Sequence, residues 1–379
     1  MAGAKGEKLE FPALTGVRAI AAYMVFFHHM AVYRAGMPFA YYLAAGYTGV
    51  SVFFVLSGFL ITHNYGGMFQ PERPWNLKLY FRKRFARIFP LYWLLLTIFG
   101  LSAYASGVTH GPLYWFLAAT LLKGFSSTRA FTGIDQSWSL GVEEIFYALA
   151  PLFFLLMHRG RLFWGLLGAI AAAIVWIACR FLLFEQMDWT EKAMFVIAYN
   201  FPGRALEFFV GIQLSRIVRA GSLRTEVKKF RGWLTSAAAL MVLACILWIN
   251  SINQSESGKF PVAATFLHQL ILPFPIALFF LGLIKEDSWI RRILASRLFQ
   301  LLGASSYAFY LLHDGVLANR IGEILRGIPV ARAHYVTSLF LCINAVSVLI
   351  YKGFEDPVRR WINPRSTFTD KSGGGEGIE

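Results

Sequence analysis

The 379-residue chain has few charged side chains and a large excess of apolar ones. Asp, Glu, Lys and Arg make up 15% of its residues, whereas soluble domains average about 25%. Hydrophobic residues reach 57% and aromatic residues 17%, and the mean hydropathy is +0.53. So much apolar surface needs a lipid solvent, and this excludes an ordinary soluble protein.

The chain also lacks the residue patterns of several enzyme classes. Its three cysteines, Cys179, Cys245 and Cys342, lie singly within apolar runs, so they indicate buried thiols rather than a metal site. No HExxH, CxxC, G-x-S-x-G or Walker pattern occurs. These absences argue against zinc hydrolysis, serine hydrolysis and P-loop ATP use, and we expect no bound metal.

Apolar runs that are long enough to cross a bilayer recur along the whole chain. About 20 apolar residues cross a bilayer as one helix, and the alternating pattern of membrane strands is absent. We therefore predict an all-α, polytopic membrane bundle of about ten transmembrane helices. The runs are 14–33, 46–65, 86–105, 139–157, 162–184, 196–215, 232–250, 263–284, 301–318 and 333–351. A shorter stretch over 112–125 predicts a re-entrant or interfacial helix.

The net charge of +15 arises from 36 Lys and Arg against 21 Asp and Glu. These basic residues lie mostly in loops between the apolar runs, so they indicate membrane topology rather than nucleic-acid binding. With the N-terminus in the cytoplasm, 25 of the 36 fall on the cytoplasmic side and 8 on the other. This asymmetry predicts that both termini are cytoplasmic. We interpret residues 1–361 as one transmembrane domain and 362–379 as a flexible cytoplasmic tail.

The first apolar run contains ionisable residues, which a membrane helix tolerates only where they face protein or a water-filled cavity. Arg18 and His29 are 11 residues apart, which is about 16 Å along a helix and about 20° beyond three full turns. The two side chains therefore share one face, while His28 points away from it. Histidine is the usual general base at neutral pH, and its alternative role here is to hold helices together by hydrogen bonding.

Charged residues also mark later runs. Arg84 and Arg87 are neighbours on a helix surface and form a fork that suits phosphate, although a positive flank of a membrane helix has the same composition. Glu143 lies near the start of the fourth run and one turn from Tyr147, where it is either a helix N-terminal charge or a group that orients a histidine or an acceptor. Two further pairs have structural alternatives. Arg204 with Glu207 predicts an intramembrane ion pair, and His313 with Asp314 either lines a cavity or sits at the interface.

Six sequence blocks occur in a characteristic order from residue 14 to about residue 361. They are LTGVRAIAAYMVFFHHM, YTGVSVFFVLSGFLIT, YFRKRFARIFPLYW, QSWSLGVEEIFYALAP, SSYAFYLLH and FEDPVRRW. Together they resemble the membrane acyltransferase-3 family. The resemblance implies an integral membrane enzyme that moves an acyl group, most often acetyl from cytosolic acetyl-CoA, to a hydroxyl of a glycan or glycoconjugate. It also implies a multi-pass protein of the bacterial inner membrane, of the type without a fused hydrolase-like domain.

The same resemblance assigns roles to particular residues. The family's Arg-x10-His pattern falls on Arg18 and His29, and its RxxR pattern on Arg84 and Arg87, so His29 is the expected base and the arginine pair the expected acyl-CoA site. The remaining family blocks match residues of the fourth run and of the segment after the tenth run, namely Ser139, Leu140, Val142, Glu143, Glu355 and Pro357. We expect Arg18 and Glu143 to assist catalysis.

Several alternatives remain open from the sequence. His28 is the second candidate for the base, and a covalent acyl-histidine competes with direct transfer. A transporter or flippase of a lipid-linked saccharide would also bury Arg, His and Glu within its helices. A non-catalytic assembly subunit is the third possibility. For the enzyme, the expected partners are acyl-CoA, a carbohydrate acceptor and membrane lipid.

Overall fold

The described part of the chain is built from helices. The computed structural model describes residues 11–33, 40–69, 75–161, 165–166, 168, 189–220, 232–255, 262–330 and 334–363, and within these ranges it contains no strand. The α-helices are α1 Pro12–Tyr33, α2 Ala40–Leu43, α3 Gly49–Tyr65, α4 Leu77–Ala105, α5 Pro112–Ala119, α6 Trp138–His158, α7 Trp189–Tyr199, α8 Phe201–Ala220, α9 Trp233–Ser255, α10 Val262–Phe266, α11 Pro273–Lys285, α12 Trp289–Leu294, α13 Arg297–Ala304, α14 Ser306–Leu312, α15 Val316–Gly327, α16 Tyr335–Ile350 and α17 Asp356–Ile362. The prediction of an all-helical protein is confirmed for these residues.

Helical segments long and apolar enough to cross a membrane number six among the described residues. They are Ala44–Phe69, Leu77–Ala105, Asp135–His158, Trp233–Asn253, Val262–Lys285 and Tyr335–Ile362. Each coincides with one of the predicted runs, as expected for a multi-pass membrane protein. The count of ten and the cytoplasmic position of both termini stay predictions.

The other four predicted runs differ from these six. The run over 14–33 forms α1, which contains Arg18, His28 and His29 and is not among these six. The run over 196–215 falls on α7 and α8, which meet at Asn200. The run over 301–318 is divided among α13, α14 and α15. The run over 162–184 lies almost wholly outside the described residues, as does the predicted tail from residue 364 onward.

The crossing of α3 with α8 depends on glycine. A Cβ added at Gly58 would lie 2.2 Å from the carbonyl oxygen of Phe208, and one added at Gly211 would lie 2.1 Å from that of Val55. Small residues at such a crossing let two backbones approach, and dispersion contacts between them stabilise helices within a membrane. The same crossing buries the predicted ion pair between Arg204 and Glu207, whose Nε and Oε2 atoms are 2.7 Å apart.

Helix α1 runs through the centre of the described bundle. It packs against α3 on one side and against α12, α13 and α14 on another. The helical run is interrupted between α14 and α15 at His313, Asp314 and Gly315. Gly315 has φ +100°, which residues other than glycine rarely adopt. Polar backbone exposed by such a break is tolerated at membrane depth where it is buried in protein or lines a cavity.

Candidate active site

Two cavities lie end to end in the described bundle. The first, the histidine cavity, has a volume of about 620 Å³, and among its lining residues are His28, His29 and His268. The second, the arginine cavity, has a volume of about 380 Å³ and is lined by Arg18, Arg84, Arg87, Glu143 and Arg359, among others. Val50 and Tyr310 line both. The predicted site residues therefore divide into a histidine group and an arginine group that meet at these two side chains.

Helix α1 supplies one predicted residue to each cavity. Arg18, near the start of the helix, lines the arginine cavity, and His29, near its end, lines the histidine cavity. Their separation of 11 residues in one helix corresponds to about 16 Å. Arg18 and His29 thus lie in two adjoining cavities rather than in one cluster. His28 also lines the histidine cavity, where its Nδ1 lies 2.5 Å from the carbonyl oxygen of Ala44.

A second histidine holds the ring of His29. The Nδ1 atom of His29 lies 2.9 Å from Nε2 of His313, and the Nδ1 atom of His313 lies 2.7 Å from the carbonyl oxygen of Tyr310. The Oδ2 atom of Asp314 lies 3.8 Å from Nδ1 of His29. The break between α14 and α15 therefore places an imidazole and a carboxylate beside the predicted base.

These contacts fix where the protons reside when both rings are neutral. A carbonyl oxygen only accepts, so Nδ1 of His313 carries a proton and donates it to Tyr310. Nε2 of neutral His313 is then an acceptor, and Nδ1 of His29 donates to it. The lone pair of His29 consequently lies on Nε2, the nitrogen that a general base uses to take a proton.

A second polar cluster lies on another wall of the histidine cavity. Ser51 Oγ is 2.6 Å from Nε2 of His268 and accepts a hydrogen bond from Nη2 of Arg204 at 3.2 Å. Arg204 also donates to both carboxylate oxygens of Glu207, at 2.7 and 2.9 Å. Because these groups are buried and bonded to one another, they form a rigid wall, and the guanidinium charge is neutralised by Glu207.

Aromatic and amide side chains complete the lining of the histidine cavity. Tyr199 makes edge-to-face contacts with Phe131 and Trp138, at ring-centroid distances of 5.0 and 4.8 Å. On another wall, Asn253 donates to the hydroxyl of Tyr47 at 3.0 Å. Apolar ring faces with a few fixed polar groups between them suit an organic ligand that carries hydroxyls.

The segment before α6 is anchored from two sides. Gln136 donates to the carbonyl oxygen of Leu311 at 2.8 Å, which ties this segment to the break after α14. Lys123 is buried and donates through Nζ to the carbonyl oxygens of Ile134, at 2.9 Å, and Thr132. Burial lowers the pKa of Lys123 to about 8, and the charge of Asp135 opposes this shift.

In the arginine cavity, the two arginines of the predicted fork already have protein partners. Nη1 of Arg87 lies 2.7 Å from Oε1 of Glu355, and Nη2 of Arg84 donates to the hydroxyl of Tyr65 at 2.7 Å. Three buried atoms of the group, Arg84 Nε, Arg87 Nη2 and Glu355 Oε2, have no hydrogen-bond partner among the described residues. The family motifs around Arg87 and Glu355 are therefore in direct contact, and donors remain for a ligand.

Arg18 differs from the other two arginines. Its charged neighbours are Arg87, Glu355 and Glu143, yet it forms no hydrogen bond or ion pair with any residue in the described ranges. A guanidinium that lines a cavity beside two further arginines attracts an anion, because like charges held together gain most from a negative partner.

Glu143 lines the arginine cavity. Its Oε1 accepts from the hydroxyl of Tyr147 at 2.5 Å and from Ser57 Oγ. The partners of His29 that the structure shows are His313 and Asp314, and Asp314 lines the histidine cavity. Glu143 is therefore grouped with the arginines rather than with His29.

Sequence reasoning missed part of the histidine cavity. For His313 and Asp314, the sequence allows either a cavity lining or a position at the membrane interface. The feature that favours the cavity is a polar pair followed by glycine within an apolar run. His268 and Ser51 gave no signal, because only the fold brings residues 217 positions apart together. Among the described residues, no group of three His, Cys, Asp or Glu has a metal-binding arrangement.

Comparisons with known proteins agree with one family along nearly the whole chain. The profile described as the acyltransferase domain matches residues 11–352. The chain is 28% identical to the acyltransferase MdmB of Streptomyces mycarofaciens, over 94% of each protein. No solved structure is significantly similar to this chain.

Two further relatives are longer than this chain. It is 22% identical to the peptidoglycan O-acetyltransferase OatA of Listeria monocytogenes, over 95% of this chain and 58% of that protein. It is 21% identical to a putative O-acetyltransferase of Staphylococcus aureus (strain COL), over 94% of this chain and 58% of that protein. The chain thus spans a little over half the length of both. From the match over residues 11–352, the chain belongs to the acyltransferase domain family and is an acyltransferase.

Proposed function

We propose that this acyltransferase moves an acyl group, acetyl in the first instance, from cytosolic acyl-CoA to a hydroxyl of a glycan or glycoconjugate. In this proposal the enzyme lies in the bacterial inner membrane, the arginine cavity receives the donor and the histidine cavity receives the acceptor. The observation that carries it is the hydrogen bond between His29 and His313, which leaves the lone pair of His29 on Nε2 in a cavity that adjoins the arginines.

The arginine cavity has the chemistry to hold an anionic donor substrate. Arg18, Arg84 and Arg87 line it, and donor atoms of Arg84 and Arg87 lack hydrogen-bond partners within the described ranges. Phosphate oxygens accept hydrogen bonds from guanidinium groups and gain from their charge. We assign Arg84 and Arg87 to the phosphates of the donor. Arg18 lies on the same helix as His29, and we assign it to the part of the donor that carries the acyl group.

On the acceptor side, His29 acts as the base. Its Nε2 takes the proton of the acceptor hydroxyl while that oxygen bonds to the thioester carbonyl carbon. The carbon–sulfur bond breaks, the thiolate of CoA leaves, and the imidazolium of His29 returns the proton to it. Asp314, 3.8 Å from Nδ1, stabilises the imidazolium between these two transfers. Arg18, about 16 Å from His29 along α1, helps to orient the anionic donor.

The choice of His29 over His28 follows from what lies behind each ring. Nδ1 of His28 bonds a neutral carbonyl oxygen, that of Ala44. Nδ1 of His29 has His313 at 2.9 Å and the Asp314 carboxylate at 3.8 Å. A carboxylate close to the ring favours the protonated state that a base must pass through, so His29 is the better base. The acyl-histidine route would use the same Nε2 as a nucleophile.

The acceptor class is supported by chemistry and by one relative. The rings of Tyr199, Phe131 and Trp138 with nearby amides suit a hydroxyl-bearing ligand, and the Listeria relative is named for O-acetylation of peptidoglycan. Membership of an acyltransferase family favours an enzyme over the transporter alternative.

The proposal is tested with the purified chain in detergent, where no transmembrane gradient exists. Radiolabelled acetyl-CoA is supplied with peptidoglycan fragments or a panel of aryl glycosides, and both labelled ester and free CoA thiol are measured. We expect thiol release that depends on the acceptor and equals ester formation. Absence of both with every acceptor, while the protein still binds and releases intact saccharide, would contradict the enzyme and favour transport.

A further inference from the structure

The two cavities adjoin at two side chains. Val50 on α3 and Tyr310 on α14 line both the arginine cavity and the histidine cavity, and among the described residues no other side chain does so. If the donor enters one cavity and the acceptor the other, the reacting carbonyl must come between Val50 and Tyr310. We call this pair the neck.

The neck lies beside the part of α1 between Arg18 and His29. A Cβ at Gly49, the residue before Val50, would lie 2.4 Å from the carbonyl oxygen of Ala21. On the other side, Phe309, the residue before Tyr310, contacts the ring of Tyr23 at a centroid distance of 5.0 Å. Ala21 and Tyr23 both follow Arg18 and precede His29 in the helix. The neck is therefore at an intermediate depth between the arginine and the histidine.

Both side chains of the neck are held in place. The hydroxyl of Tyr310 lies 2.8 Å from Ser139 Oγ and donates to the carbonyl oxygen of Gln136 at 3.2 Å. Val50 is buried, at 4% exposure, and its branched Cβ restricts it to few rotamers. The ring of Phe53 packs against Tyr310 at 5.7 Å. A neck of this kind does not widen without breaking hydrogen bonds or moving a packed helix.

We infer that Val50 and Tyr310 form the acyl-binding site and limit the acyl group to a short chain, so that acetyl is transferred in preference to butyryl and longer groups. This inference rests on the proposed function and adds the determinant of donor specificity. Tyr310 also joins the two parts of the site, because its ring forms the neck and its carbonyl oxygen accepts from His313.

The expected size of the effect follows from how pockets discriminate by length. One methylene that fits or clashes in a rigid apolar pocket changes the specificity constant by about 10-fold to 200-fold. Val50→Ala removes two methyl groups from the neck and should raise the ratio of butyryl to acetyl transfer by about 10-fold. Val50→Leu should lower the same ratio.

The matched control is Val52→Ala. Val52 lies on the same helix and is buried at 8% exposure, but it lines neither cavity. The measured quantity is kcat/KM for butyryl-CoA divided by kcat/KM for acetyl-CoA, with one fixed acceptor. We expect the ratio to rise in Val50→Ala, to fall in Val50→Leu and to stay near the native value in Val52→Ala, because the Val52 side chain lines neither cavity.

A second variant guards against misfolding. Tyr310→Phe keeps the ring but removes the hydrogen bonds to Ser139 and Gln136, so the ring gains freedom and the ratio should also rise. Ratios that remain native in Val50→Ala, Val50→Leu and Tyr310→Phe, in folded protein that still transfers acetyl, would overturn the neck and leave the proposed function intact. Absence of acyl transfer in the native chain would reject both.

Discussion

The Nδ1 atom of His29 lies 2.9 Å from the Nε2 atom of His313, although the two residues are 284 positions apart in the chain. Nδ1 of His313 in turn donates to the carbonyl oxygen of Tyr310, three residues earlier in the chain. This pair of hydrogen bonds determines the tautomer of both rings, because the carbonyl oxygen of Tyr310 can only accept. In the proposed mechanism, the lone pair of His29 therefore has a defined position on Nε2.

This pair of hydrogen bonds predicts that His313 is a positioning residue. His313→Ala removes the acceptor for Nδ1 of His29, so we expect kcat to fall by about 100-fold with little change in KM for acetyl-CoA, because general-base catalysis is worth about 10²–10⁴. His313→Gln places an amide oxygen near the former Nε2 and should restore part of the loss. The measurement is the steady-state rate at several pH values.

A structural role alone would give a different pattern. In that case His313→Ala and His313→Gln would lose activity together with thermal stability, and the pH profile of the remaining activity would be native. The control substitution is His110→Gln. His110 lies in the loop before α5, stacks on Tyr114 of that helix and lines neither cavity. We expect the control to keep the native rate.

The arginine cavity predicts a loss of donor affinity. In the double variant Arg84→Gln with Arg87→Gln, we expect KM for acetyl-CoA to rise by about 10-fold or more, because charge-assisted hydrogen bonds to phosphate contribute about 1.5–3 kcal/mol each. Affinity for acetyl-CoA is measured directly by calorimetry in detergent. Arg82→Gln is the matched control, since Arg82 lies on the same helix but points to Asn363 outside the cavity. A native dissociation constant in the double variant would refute the phosphate assignment.

Lys123 predicts a pH dependence of stability. Burial lowers its pKa to about 8 from the ordinary value of 10.5, so the unfolded chain binds more protons between these two pH values. The free energy of unfolding should therefore rise with pH across that window, by at most about 1.4 kcal/mol per pH unit. The check is the Tm in detergent at pH 8 and pH 10, compared between the native chain and Lys123→Met. An identical change of Tm in both proteins would show that Lys123 makes no such contribution.

The general architecture was predictable because lipid restricts the choices. Apolar runs and their lengths indicated helices, and six of the predicted runs appear as helices long enough to span a membrane. The ion pair between Arg204 and Glu207 followed from a three-residue spacing, which is a local geometric relationship. Helix breaks were harder to predict, because hydropathy averages over the polar residues His313 and Asp314 and hides the break beside Gly315.

The site was predictable by residue type but not by grouping. Arg18 and His29 share a helix, yet they line different cavities, which adjoin at Val50 on α3 and Tyr310 on α14. Glu143 was a candidate orienter of the base, but its bonds to Ser57 and Tyr147 place it with the arginines. Which polar residues meet depends on helix packing at long range, and sequence spacing carries no information on it.

The most direct test of the account compares two adjacent histidines. Transfer of radiolabelled acetyl from acetyl-CoA to an acceptor is measured with purified His29→Ala and His28→Ala, after both are shown to fold and to bind acetyl-CoA. The account predicts that His29→Ala loses at least about 100-fold in kcat, while His28→Ala retains most of its activity because Nδ1 of His28 is bonded to the neutral carbonyl of Ala44. Full transfer by His29→Ala together with loss in His28→Ala would contradict it.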